Sequence, residues 1–163
     1  MRLATLSLPL LGLALAACQA FAPVPDLATL PHATLTGSHV DVDGDRVDTF
    51  RATAIDGRGV LPLGDQPAKL IGKDAVNLLP AGHGVRVEVE GLAFYQNTVR
   101  RVFWDPMHTD GTIELVPVAN ASYVVRGAVA PEASSVWIED AATHAVMGRK
   151  ISTPGKGASA PAP

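Results

Sequence analysis

Turn-forming residues break this chain at short intervals. Asp43-Gly44, Asp56-Gly57, Gly64, Pro80, Gly82, Asp105-Pro106, Asp110-Gly111 and Pro131 leave only short runs between them. Glycine and aspartate tolerate positive φ, and proline lacks the amide hydrogen that a helix interior uses. No segment carries a long apolar stripe at helical period, and Asp74 to Leu79 has room for one short helical turn at most. The runs alternate instead. Val85-Arg86-Val87-Glu88-Val89-Glu90 puts valines on one face of a strand and charges on the other. Gly91 follows, and Leu92 and Phe94 then take the opposite parity, which predicts a glycine bulge.

Other runs read the same way. Thr98 to Trp104 is predicted as a returning strand after a Gln96-Asn97 turn. Thr112 to Val118 places Ile113 and Leu115 on one face. Ser122 to Val129 groups Tyr123, Val125 and Val129, with Arg126 pointing outward. Val136 to Glu139 and Ala145 to Ile151 form a final pair, while Ala33 to Val40 and Val47 to Ile55 bracket an Asp/Gly turn. Short strands with turn signals at about 8–12-residue spacing predict an all-β fold, an antiparallel β-sandwich of about eight to nine strands. Ala33–Tyr95 and Val99–Ile151 are candidates for two packed lobes.

The N-terminus has a different character. Arg2 supplies a positive start, and Leu3 to Ala17 carries no charge and is dominated by Leu and Ala. A positive start, a short apolar stretch and small residues at its end define a secretory signal. The run is short of the roughly 20 apolar residues of a membrane span. Leu15-Ala16-Ala17-Cys18 resembles the lipobox of bacterial lipoproteins. That resemblance implies a diacylglyceryl group on the Cys18 sulfur, cleavage before Cys18 and acylation of the freed amine. Gln19, rather than Asp, implies sorting to the outer membrane of a Gram-negative cell rather than retention at the inner one. Two or more acyl chains give stable anchoring where one does not.

These readings divide the chain into a signal peptide over 1–17, an acylated cysteine with a Pro-rich tether over 18–32, a sandwich domain over 33–151, and a disordered tail over 152–163. Pro23, Pro25 and Pro31 stiffen the tether. At about 3.1 Å per residue, the 14 residues Gln19 to His32 would reach roughly 40 Å. The tail, rich in Ser, Gly, Ala and Pro, has too little apolar surface to repay ordering. Removing residues 1–17 takes only Arg2 from 13 Lys and Arg set against 16 Asp and Glu, leaving 146 residues of formal charge −4. The charges are scattered with no basic stripe, so nucleic acid is not an expected partner. Cys18 is the only cysteine, which leaves none for a disulfide within the domain.

Candidate chemistry is sparse. Asp41, Asp43, Asp45 and Asp48 could offer oxygen ligands to Ca²⁺. The EF-hand spacing fails, because its required glycine falls on Arg46 and its terminal glutamate on Ala52. A solvated Asp-Gly hairpin turn explains the same residues. His32, His39, His83, His108 and His144 lack the local spacing of a zinc site. His83 lies in Leu79-Pro80-Ala81-Gly82-His83-Gly84-Val85, which resembles a Pro-x-Gly-x-His turn into a strand found in small bacterial lipoprotein β domains. There the turn is architectural, and here an inserted alanine shifts its proline and glycine. No nucleophile elbow or phosphate-cradling glycine pattern is present, so no catalytic residue, cofactor or enzymatic activity is expected.

Aromatic residues give the remaining candidates. Phe94, Tyr95, Phe103, Trp104, Tyr123 and Trp137 are either a core cluster or, where exposed beside Arg100 and Arg101, a protein or glycan contact. Arg100, Arg101, Trp104 and Trp137 are the candidate interaction residues. Tyr123-Val-Val-Arg-Gly127 through Val136-Trp-Ile-Glu-Asp140 and on to Val146 resembles the opening strands of transthyretin-like and carboxypeptidase-regulatory-like sandwiches. The whole chain resembles β-sandwich lipoproteins of proteobacteria. The expected role is a non-enzymatic binding or scaffolding module at the periplasmic face of the outer membrane, with an envelope protein or the cell wall as partner. A small-molecule, metal or glycan-binding domain with hydrolytic activity is the alternative, and a purely structural lipoprotein a third reading.

Overall fold

The computed structural model describes residues 27–60, 76–96 and 107–155. They form an all-β sandwich of two packed sheets, with ten strands among the described residues: β1 His32–Thr36, β2 Ser38–Asp41, β3 Arg46–Ile55, β4 Arg58–Gly59, β5 Asn77–Pro80, β6 Val85–Tyr95, β7 His108–Leu115, β8 Ser122–Ala128, β9 Ala133–Asp140 and β10 Val146–Pro154. One sheet runs β10-β9-β8-β1-β5, and the other runs β2-β3-β6-β7 with β4 also paired to β3. All pairings are antiparallel except β1 with β8, which lie parallel.

The alternation in the sequence builds the core. Val85, Val87 and Val89 of β6 are buried, and Arg86 and Glu88 between them are exposed. Facing them from the other sheet are Tyr123 and Val125 of β8 and Val136 and Ile138 of β9, all buried. Outward residues meet across strands, Arg86 with Glu114 at 3.5 Å and Arg51 with Glu90 at 3.0 Å. Such exposed pairs contribute at most about 1 kcal/mol each, so inward burial decides the register.

Several expectations need correction. β6 runs through Gly91 without a bulge, and Gly91 pairs with Phe50 on one side and Thr109 on the other. A Cβ on Gly91 would stand 3.0 Å from the Phe50 ring, so glycine here makes room for an aromatic neighbour. The irregularity lies instead on β3, between Ala52 and Ala54. Ala33 to Val40 is not one strand. At Gly37 the chain leaves the first sheet as β1 and joins the second as β2, where a Cβ would meet the Phe50 carbonyl oxygen at 2.8 Å. Residues 77–79, assigned at most to a helical turn, lie in β5 and pair with β1.

The ends of the domain shift as well. Leu27–Thr29 forms a single 3-10 turn, and β1 begins at His32, so part of the expected tether belongs to the folded domain. Ser152, Thr153 and Pro154, expected in the tail, pair with Ser135, Ser134 and Ala133. Two lobes are not seen. β1 and β5 from the first half complete the sheet of β8, β9 and β10, while β7 from the second half pairs with β6. The returning strand expected over 98–104 lies outside the described residues, and the strand that pairs back on β6 is β7.

Candidate functional site

The acidic segment folds as a turn between β2 and β3, and its carboxylates serve the backbone. The Gly44 amide donates to Asp41 Oδ1 at 2.8 Å, and the Asp45 and Arg46 amides donate to Asp43 Oδ1 at 3.1 and 2.8 Å. Gly44 takes φ +73°, the conformation the Asp-Gly pair suits. Asp48 is separate from the other three. It is buried on β3 and grips Arg46 through two hydrogen bonds, Nε to Oδ1 at 2.7 Å and Nη2 to Oδ2 at 2.8 Å. Arg46 Nη2 also donates to the Val129 carbonyl, in the loop between β8 and β9 of the other sheet. Burial opposes the guanidinium charge, but the Asp48 hydrogen bond and charge outweigh it and raise the Arg46 pKa above its ordinary value. Among the described residues no three His, Cys, Asp or Glu side chains gather closely enough to hold a metal ion.

The histidines are dispersed. His32 Nδ1 contacts the Leu30 carbonyl oxygen at 2.7 Å, and His108 Nε2 lies 3.7 Å from Asp110. His83 is exposed just before β6, whereas His108 pairs with Leu92 near the opposite end of that strand. A pocket shared by His83 and His108 is thereby excluded. His39 is exposed on β2.

Trp137 is the sequence candidate that the structure makes informative. Ser134, Val136 and Ile138 of β9 point inward, so Trp137 stands on the outer face of its sheet. It is cross-strand from Arg126, and Lys150 Nζ lies 4.1 Å from the ring centroid. The Trp137 indole N–H donates to Glu139 Oε2 at 3.4 Å. Glu139 also holds His144 Nδ1 at 2.7 Å and approaches Arg126 at 4.0 Å. The His144 hydrogen bond is the largest of the effects that hold the Glu139 carboxyl below its ordinary pKa. Asp140 beside it is also lowered, chiefly by the Thr143 backbone amide and then by the Thr143 hydroxyl. The outer face thus presents a half-buried indole amid charges of both signs.

Phe94, Tyr95 and Tyr123 are buried, as the core reading expects, and Trp137 is half-buried on the outer face of its sheet. Arg100, Arg101, Phe103, Trp104 and Cys18 lie outside the described residues. Sequence reasoning missed the hub role of Glu139 and the Lys150 cover over Trp137. Both depend on the β8-β9-β10 register, and the β9–β10 pairing shifts between Met147 and Ile151. Comparison with protein-family models, with curated proteins and with solved structures finds no match.

Proposed function

We propose that this chain is a lipid-anchored lipoprotein of the cell envelope. Its sandwich works there as a non-enzymatic binding or scaffolding module on the periplasmic face of the outer membrane. The reading is carried by Leu15-Ala16-Ala17-Cys18 followed by a proline-rich segment that leads into the sandwich. An acyl anchor on a short tether raises the effective concentration of the domain for envelope partners without any further contact. The local pairing of Asp41, Asp43, Asp48, Glu139 and Asp140 with their own chain supports a binding role over a catalytic one. The outer face around Trp137 is the surface offered to a protein or cell-wall partner.

The test is cellular fractionation of Cys18→Ser. The expected result is loss of the mature membrane-bound form, with the domain either soluble or left uncleaved, and unchanged thermal unfolding of the folded part. A Cys18→Ser protein that is processed normally and stays on the membrane contradicts the proposal.

A further inference from the structure

We infer that the end of the sandwich where the chain enters from the tether is a lipid-contact surface, with Leu30, Val116 and Val118 facing the acyl–headgroup boundary. The inference rests on the lipid-anchor reading and adds an orientation to it. Three segments meet at this end. The Ala81 amide donates to the Pro31 carbonyl, the Gly82 amide to the Pro117 carbonyl, and the Asn120 amide to the His32 carbonyl, at 2.8–3.0 Å. The segments 27–31, 80–84 and 116–121 read Leu-Ala-Thr-Leu-Pro, Pro-Ala-Gly-His-Gly and Val-Pro-Val-Ala-Asn-Ala, without one Asp, Glu, Lys or Arg. Within them Leu30 is 45%, Val116 57% and Val118 63% exposed. Large apolar side chains left this open on segments without charge mark a contact site.

Chain length selects the occupant. Eight residues, 19–26, separate Cys18 from Leu27, the first described residue of the domain. At about 3.1 Å per residue they reach roughly 25 Å, well short of the 40 Å that the sequence alone suggested. β6 runs the length of the sandwich from this end, and its eleven residues span about 35 Å at 3.3 Å each. The tether is therefore shorter than the domain, and the entry end is the end held near the membrane. The far end is unsuited to lipid. Val40 and Val42 are exposed there too, but they alternate with Asp41, Asp43 and Asp45. Carboxylates resist transfer toward an apolar phase and are repelled by anionic headgroups. Among the described residues, charge at the entry end flanks these segments, in the exposed Arg86–Glu114 pair and in the turns around Asp56 and Arg58 and around Asp140.

Spin labels on the acylated full-length protein test this. Val118→Cys, Val116→Cys and Asp43→Cys are each labelled after purification from membranes and reconstituted in phosphatidylethanolamine–phosphatidylglycerol vesicles. Acylation of Cys18 leaves the introduced thiol as the single reactive one. Power-saturation with oxygen and with a water-soluble nickel chelate then reports depth. The expected result is at least a threefold higher oxygen-to-nickel accessibility ratio at positions 118 and 116 than at 43. Equal ratios at all three positions overturn the inference. So does protection at 118 and 116 from both oxygen and nickel, which would mean a protein covers this end. Failure of the anchor reading is distinct, because that protein would not float with the vesicles at all.

Discussion

Arg46 and Asp48 stand two apart on β3, a spacing that in a strand puts both on one face. Their side chains are only 14% and 8% exposed, and the guanidinium reaches across to the Val129 carbonyl in the loop that follows β8 of the other sheet. The pair is thus a polar clasp between the sheets, not a surface ion pair. Asp48→Ala leaves the guanidinium without its carboxylate in a largely buried place. The expected loss is about 3 kcal/mol, read from the urea unfolding midpoint. Glu139 is the second residue whose surroundings matter. Its carboxyl is lowered first by His144 and also by Trp137 and Arg126. A carboxylate whose folded pKa lies below its unfolded value stabilises the fold above the unfolded pKa, and that contribution disappears as pH falls through the folded one. Stability is therefore expected to drop below about pH 4.3, the ordinary Glu range. His144→Ala should return the Glu139 titration, followed by carboxyl carbon NMR, toward that ordinary value. An unchanged titration would assign the shift to other neighbours. In the sequence Asp48 was one of four similar carboxylates, and nothing local separated it from Asp41 or Asp43. Its role depends on a loop carbonyl 81 residues further on.

Strands were the legible part of the chain wherever one face was strictly apolar. β6, β8 and β9 follow period-2 burial as the residues prescribe, and Arg126 points outward. Legibility ended where the third dimension chose between equivalent patterns. Gly91 looks like a break in parity, yet it and Gly127 make space for one ring. Phe50 sits against both, and a Cβ on Gly127 would come within 2.3 Å of that ring and 2.6 Å of the Ser135 carbonyl. Ring and backbone cannot both yield. Gly127→Ala is therefore expected to cost about 2–3 kcal/mol, while Gly91→Ala, with its nearest ring atom at 3.0 Å, costs less. Equal denaturation midpoints for the two variants would refute the assignment. Gly37, where the chain changes sheets, carried no signal beyond a glycine in an alternating run. In sequence Ser152-Thr153-Pro154 looks like linker, which ends the last predicted strand too early. Its edge is fixed instead by long-range partners, including the Thr109–Thr153 hydroxyl contact at 2.8 Å.

The whole molecule, as proposed, joins an address at one end of the sequence to a sandwich whose own surfaces differ from end to end. Its two halves interleave, since β1 lies parallel to β8 and β7 pairs back on β6, so neither half has a complete sheet alone. The entry end, built from three segments without Asp, Glu, Lys or Arg, and the acidic turn at the other end follow from where the chain crosses between sheets. Their placement at opposite ends depends on the strand order. The proposed anchor rests on a local signal, four residues that resemble a lipobox and are read without a fold. Trp137 and its charged neighbours, the surface proposed for a partner, come together only through pairing. The most direct measurement of the central proposal is the intact mass of the protein extracted from membranes, with fragmentation of its N-terminal peptide. The expected result is a chain beginning at Cys18 that carries a diacylglyceryl thioether and an N-linked acyl group. An unmodified Cys18, or a mature chain that begins elsewhere, would contradict it.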